Sequence, residues 1–371
     1  MQVQVDSWCI GLRGDLVQRP LVEALIADGR VEQRLIFAEE SASRAALVAK
    51  GLPVLTTPAK LSLAQGPQIL RRIFTARKGL HDWYGGGPRL VHVIMTSPWD
   101  MAFLDIPKRR GARILVTVHN AEYHLGEESL TSPIYWRHIE AVDHVAVLST
   151  FAGEVLRKRF GPNKPIHVIS PGLIMDARPP GPPKTPPVGR PLKLLFFGRI
   201  NKYKGLDILL DAMEILRREN APPIELTVAC SGDIEPYRAA FARNPEVELA
   251  HGWMSDETME RLFAEHDVNI LPYRDASLSA TALAGMWAGM PTIATPLAGF
   301  AEQLQDGLNA LVADEISAGA ITACIRRLAG SAELYSQLAQ GAHQKAVSLS
   351  APVVANNWHD LYRQILTERR S

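Results

Sequence analysis

The sequence predicts an α/β protein built from two doubly wound parallel-sheet domains facing a cleft, and three observations predict it. Apolar runs of strand length recur along the chain, with amphipathic helical stretches between them. Strands that are apolar throughout belong to parallel sheets covered by helices on both faces. A Pro-rich break, "ARPPGPPKTPPVGRP", cuts the series in two; it can neither extend a helix nor sit in mid-sheet. The length, 371 residues, favours two domains, each long enough to bury its own core.

The first series occupies residues 1–176, with strands "QVQVDSWCI", "RLIFA", "LVHVIMTS", "RILVTVHN", "HVAVLS" and "IHVIS". Helices lie between, such as "RPLVEALIADG", whose apolar residues recur every three or four positions before a Gly stop. Residues 177–191 read as a stiff interdomain linker. The second series, 192–351, has strands "LKLLFFG", "IELTVAC", "VELAHG", "VNILPY" and "PTIAT". A last helix, 352–371, comes after that series has closed, and packing back onto the first domain is expected of it. The halves share architecture rather than residues.

Composition excludes several classes. A formal net charge of +1 argues against a protein that coats nucleic acid. Three widely separated cysteines make no disulfide framework and point to a reducing compartment. Each lies among apolar residues, as a buried small hydrophobe would. No signal peptide opens the sequence, and no run approaches the roughly twenty apolar residues that span a bilayer. The expected location is the cytoplasm, including the inner face of a membrane. Without an Asp-x-Asp or a His/Cys cluster, no metal and no cofactor are expected.

The sharpest chemistry lies in "LKLLFFGRINKYKGLDILLDAMEIL", residues 192–216. A buried strand ends at Phe197, Gly198 turns the chain, and Arg199 stands at the strand's carboxyl end. Lys204 follows, and Gly205 opens a helix. A guanidinium fork, an ammonium point charge and a helix N-terminus together suit a diphosphate. A solvated basic turn is the plain alternative. Further on, "DASLSATALAGMWAGMPTIAT" follows a strand with hydroxyl residues and a helix start. Its only carboxylate is Asp275. The backbone N–H groups of Ser279, Ala280 and Thr281 suit an anion without any acid, and the two hydroxyls either join them or cap the helix.

These stretches resemble the family 4 retaining glycosyltransferases, which have the GT-B fold of two Rossmann-like domains. "FFGRINKYKGLDILLDAM" looks like that family's donor-site signature. "IELTVACSGD", "VELAHGWMSDETMERLFAEHDVNILPYRDAS" and "GMPTIATPLAGFAEQLQDGLNALVAD" follow it in the family's order, covering nearly the whole second domain. The resemblance implies that Arg199 and Lys204 hold the diphosphate of a nucleotide sugar, and that Trp253 lies near the base. It assigns Glu302 to the donor sugar or ribose. Family members usually carry two glutamates eight positions apart. Here Ala276 and Ala284 occupy those places, as in a subgroup lacking the pair. Asp275, one position away from the first, either binds sugar hydroxyls, pairs with Arg274 or caps the turn.

The first domain resembles the family more weakly. "ILVTVHNAEYHLGEE" looks like its strand end, which implies a place for His119 near the sugar and acceptor. Glu122 and His124 follow in the acceptor loop. "GLRGD" stands where the family has a glycine-rich loop, which puts Gly14 near the phosphates. "QILRRIFTARKGLHDWYGGG", residues 68–87, interleaves basic and aromatic residues; it suits either an anionic membrane surface or a surface helix packed on the core.

The expected function is therefore metal-independent transfer of a sugar from a GDP- or UDP-linked donor to a glycan or lipid-linked glycan, with retention. Partners are the donor, the acceptor and an anionic membrane, with no nucleic acid. An inverting transferase would need a base, His119 or Glu122. A non-catalytic binding subunit and a sugar-nucleotide epimerase of the same fold are the other readings.

Overall fold

The computed structural model describes residues 3–9, 15–39, 41, 44–57, 68–85, 89–96, 103–121, 132–170, 179–219 and 222–368. They divide into two compact units, the first within 3–121, 132–170 and 349–368, the second within 179–348.

The first unit runs β1 (Val3–Cys9), α1 (Asp15–Asp28), β2 (Val31–Ala38), α2 (Arg44–Val48), β3 (Val54–Thr57), α3 (Gln68–Trp83), β4 (Leu90–Val93), α4 (Asp105–Arg109), β5 (Arg113–Val118), α5 (Ser132–Ala141), β6 (His144–Val147), α6 (Thr150–Phe160) and β7 (Ile166–Val168). Its strands pair in the order β3-β2-β1-β4-β5-β6-β7, all parallel. The order reverses beside β1, as in a dinucleotide-binding fold. Val5, Trp8, Ile36, Val91 and Val116 are fully buried, which is why these strands read as continuous apolar runs. Asp6, also fully buried, is held by a two-pronged Arg34 at 2.7 and 2.8 Å.

The second unit runs β8 (Leu192–Arg199), α7 (Leu206–Arg218), β9 (Ile224–Ser231), α8 (Arg238–Arg243), β10 (Glu248–His251), α9 (Asp256–Glu265), β11 (Val268–Leu271), α10 (Ala280–Trp287), β12 (Thr292–Ala294), β13 (Ala310–Val312), α11 (Ala318–Ala329) and α12 (Ala332–Ser348). Its order, β10-β9-β8-β11-β12-β13, is again all parallel and reverses between β8 and β11. In α7, Leu206, Leu209, Leu210, Met213 and Leu216 recur at helical spacing and are all buried. The final helix, α13 (Ala351–Thr367), packs against α1 and β1 through Val354, Trp358, Leu361, Tyr362 and Ile365.

The structure adds two strands to those expected, β3 and β13, and each is the outermost strand of its sheet. They are four and three residues long. The Pro-rich stretch lies along the second unit. Gly181 and Lys184 donate backbone bonds to Trp287 and Gly289 at 2.8 and 3.0 Å. The Lys184 ammonium caps α9 by donating to the carbonyls of Phe263, Ala264 and His266. Arg190 forks onto the buried Asp267. The three cysteines are buried thiols, none of them in a disulfide. Burial pushes the Cys230 and Cys324 thiols up to about 11, so they pack as apolar groups.

Candidate functional site

Ligands of doubly wound sheets sit beyond the carboxyl ends of the strands where the order reverses. In the second unit that place is between β8 and β11, and Lys204 and the start of α10 meet there. β8 ends at Arg199, and the chain turns through Lys202–Lys204 into α7. Gly205 makes the turn possible: its φ is +65°, and a Cβ there would stand 1.9 Å from the Pro272 carbonyl oxygen. The turn can thus lie directly against the chain leaving β11. Arg274 fastens it from the other side. Its backbone N–H donates to the Tyr203 carbonyl at 2.6 Å, and its guanidinium forks onto Asp207 at 2.7 and 2.5 Å. Burial raises the Asp207 pKa, but the Arg274 fork outweighs it and holds the carboxyl below its usual value.

Lys204 ends up buried, with 9% of its surface exposed. A methyl group placed on Gly198 would stand 2.6 Å from its Nζ and 3.8 Å from the Thr281 hydroxyl. The end of β8, the lysine and the start of α10 therefore converge. Nζ lies 5.1 Å from the centre of the Tyr273 ring. Burial pushes the Lys204 pKa down; the neighbouring phenols of Tyr273 and Tyr203 more than offset this, and the net shift is upward. Among the described residues no carboxylate lies within ion-pair distance of Lys204 or Arg199. A buried charge without a partner is costly, so this one is placed to meet an anion.

The start of α10 requires one correction. The Ser279 N–H was expected to be open to a phosphate, yet it donates to Gln303 Oε1 at 2.8 Å. The Ser279 hydroxyl is also taken, because it caps the helix by accepting from Ala282 N–H at 3.2 Å. The N–H groups of Ala280 and Thr281 have no partner among the described residues. Thr281 is buried, and its hydroxyl donates a long bond, 3.5 Å, to the Phe197 carbonyl. The first turn of α10 carries no acid, so two open amides and the helix dipole point outward uncompensated.

Of the three alternatives for Asp275, the pair with Arg274 is not formed, since Arg274 is committed to Asp207. Asp275 is partly buried, and Glu302 is exposed just beyond the single turn Ala298–Phe300. Ala276 and Ala284, at the places of the missing glutamates, are both buried. Trp253 follows β10 with 89% of its surface exposed. Gln303 was missed from sequence. It is 1% exposed, and its amide clasps both the N–H and the carbonyl of Ser279, tying the Glu302 loop to α10. Only its adjacency to Glu302 hinted at this. Tyr273 was also missed, because an aromatic at the end of an apolar run reads as core.

In the first unit His119 follows the carboxyl end of β5. Its Nε2 bonds the Ile94 carbonyl at 2.8 Å. A carbonyl only accepts, so Nε2 carries the proton and Nδ1 keeps its lone pair. Burial lowers the His119 pKa. Gly14, Glu122, His124 and residues 86–87 lie outside the described residues. In helix α3, Ala76, Leu80 and the following Tyr84 join the core, while Leu70 and Phe74 are each 72% exposed. Arg72 pairs with Glu39, and Arg77 forks onto Asp105. Among the described residues no three His, Cys, Asp or Glu side chains cluster to hold a metal, and no helix is long and apolar enough to cross a membrane.

Two parallel-sheet Rossmann-like units, the second with an anion-seeking strand end, define a GT-B class protein. Residues 21–176 match the family model described as Glycosyltransferase Family 4, and residues 191–331 match that of Glycosyl transferases group 1. Together they cover most of the chain, which belongs to the family 4-like glycosyltransferases. An uncharacterized glycosyltransferase of Methanocaldococcus jannaschii is 31% identical over 124 residues, 32% of this chain and 30% of that protein. The amylovoran biosynthesis glycosyltransferase AmsK of Erwinia amylovora is 24% identical over 148 residues, 38% of this chain and 36% of that one. The matched stretch thus spans about a third of these relatives. Anabaena HepE, solved in complex with UDP-glucose, shares the fold with a TM-score of 0.70 at 15% identity, over 99% of this chain and 100% of that one.

Proposed function

We propose that this chain is a metal-independent hexosyltransferase. It moves a sugar from a GDP- or UDP-linked donor to a glycan or lipid-linked glycan acceptor in bacterial-type polysaccharide or glycolipid synthesis, with retention of configuration. The observation that carries this reading is Lys204, a buried cation without an acid, beside the two open amides of α10. The likeness to a protein solved with UDP-glucose supports a nucleotide-sugar donor. The relative named for amylovoran biosynthesis supports a polysaccharide product.

In the reaction the bond from the anomeric carbon to the diphosphate oxygen breaks, and its electron pair leaves with the nucleoside diphosphate. The acceptor oxygen bonds the anomeric carbon, and its proton passes to a departing phosphate oxygen. Arg199, Lys204 and the amides of Ala280 and Thr281 stabilise the charge that develops on the diphosphate. Gly14 lines the phosphates and Trp253 the base. Asp275 and Glu302 bind the sugar and ribose. His119, Glu122 and His124 serve the acceptor. One observation favours an inverting variant: neutral His119 keeps a free Nδ1 lone pair and could take the acceptor's proton. Leu70 and Phe74, beside the exposed Arg71 and Lys78, dock α3 on an anionic membrane at the cytoplasmic face.

The test is a thermal-shift panel of GDP- and UDP-linked sugars, followed by analysis of the product's anomer with the donor that binds. A ligand selective for the folded state raises its stability. Nucleotide diphosphate release by the pure protein that Arg199→Ala abolishes supports the enzyme; release only by a complex of the protein, unaltered in that variant, points to a binding subunit. A product of inverted configuration replaces retention with the His119 route.

A further inference from the structure

Beside Lys204 stands a second buried group that the protein leaves unmatched. Tyr273 is 3% exposed, and its hydroxyl has no hydrogen-bond partner among the described residues. It lies close enough to Lys204 to bias its charge, but an ammonium only donates, so the phenol's own proton is left without an acceptor. The ring cannot swing away. Tyr203 meets it edge-on at 6.0 Å between centres, Phe300 lies at 5.6 Å, and the Thr295 hydroxyl donates to the Tyr273 carbonyl at 2.5 Å. A phenol whose proton has no acceptor and an ammonium without an acid are thus held side by side.

Native proteins rarely leave buried polar groups unpaired without a reason. An apolar side chain would do the packing of Tyr273 without orphaning a hydroxyl. The missing partner must accept from a neutral donor and carry negative charge for the lysine. It must also offer further oxygens to the amides of Ala280 and Thr281, and a phosphoryl group meets all three demands. We propose that Tyr273 is a donor-binding residue, its hydroxyl donating to a phosphoryl oxygen of the nucleotide diphosphate that Lys204 holds. The inference rests on the donor-site reading above. It adds a neutral donor to a site otherwise built from cations and backbone, one whose bond strengthens as charge accumulates on the leaving diphosphate.

The experiment uses the full chain and titrates UDP, GDP and inorganic pyrophosphate by calorimetry into wild type, Tyr273→Phe and Lys204→Met, with the Tm of each ligand-free protein. Tyr273→Phe keeps the ring and is expected to bind the preferred nucleotide about tenfold more weakly, the effect of one hydrogen bond to a charged group. Its ligand-free Tm is expected to be unchanged or higher, because the variant removes an unmatched hydroxyl. Turnover is expected to fall along with affinity. Binding unchanged in Tyr273→Phe but lost in Lys204→Met overturns the role of Tyr273 and leaves the donor site standing. A lowered Tm with unchanged affinity also overturns it, as purely structural. If wild type binds none of the three, or Lys204→Met binds like wild type, the donor-site reading itself fails.

Discussion

The two units treat their buried polar groups in opposite ways. In the first unit, His92 is fully buried, yet both ring nitrogens are satisfied at 2.7 Å, by Tyr362 on α13 and Thr117 on β5. Its ring stacks on Trp358 at 4.6 Å. Asp6 has its Arg34 and His119 its carbonyl. The orphaned atoms there, on Thr57, Trp83, Arg89 and Arg113, are scattered; the two arginines stand at the amino ends of β4 and β5, away from the ligand edge of the sheet. In the second unit Asn244 and Asn269 also keep an orphaned oxygen, but Lys204, the orphaned hydroxyls of Tyr273 and Ser277 and the first amides of α10 all follow the carboxyl ends of β8 and β11. Satisfied polar groups in the first unit hold a domain and its C-terminal helix together. Clustered ones in the second are what the proposed donor site draws on.

The largest test of this contrast is charge removal. Arg199→Ala or Lys204→Met is expected to slow transfer by about 10²–10³-fold, the loss seen when one oxyanion-stabilising group goes. Nucleotide diphosphate release measures it, and the folding transition should stay in place. A variant that lost fold and activity together would make the lysine structural, like His92.

Gly205→Ala comes next. A side chain at φ +65°, meeting a carbonyl oxygen at 1.9 Å, combines backbone strain with overpacking and should destabilise the second unit by about 3 kcal/mol. Urea titration reads the loss, and a midpoint like wild type would refute the close approach.

Acid should act on the first unit before the second. Burial lowers the pKa of His92 to about 3 and also lowers those of His119, His144 and His167 in the first unit, and that of His266 in the second. Below about pH 6.5 the unfolded chain binds a proton that folded His92 refuses. Its stabilising effect is therefore complete above about pH 6.5 and is lost as pH falls toward 3, at about 1.4 kcal/mol per pH unit. Calorimetry at pH 7.5 and 5.5 should show the first unit's transition dropping further. Equal drops in both would erase the comparison.

The smallest stability change belongs to the surface. Leu70→Ser with Phe74→Ser should lower binding to anionic vesicles several-fold while stability stays within about 0.5 kcal/mol. Co-sedimentation unaffected by the pair would remove the membrane from the proposal.

Much of the fold was legible because burial leaves a periodic trace. The long inner strands and α7 stand in the sequence as runs of Leu, Ile, Val and Phe. The edge strands β3 and β13 were not picked out, although β7 and β10, as short and also at edges, were. "PPGPPKTPP" was legible as a break. Its seat on the second unit was not, since it depends on Lys184 reaching three carbonyls about eighty positions away. Within the site, Arg199, Lys204 and the start of α10 were legible from residue type and order. The commitment of Ser279 to Gln303, and of Arg274 to Asp207 rather than Asp275, was not.

By itself the sequence determined the α/β class, the division in two, the family and the cations at the end of β8. Each of these follows from local composition or from motifs a few residues long. Only the tertiary structure decided which polar groups are already spent inside the protein and which remain open, Tyr273 among them. Hydrogen-bond satisfaction belongs to groups that meet across distant stretches of chain, and no local pattern records who meets whom.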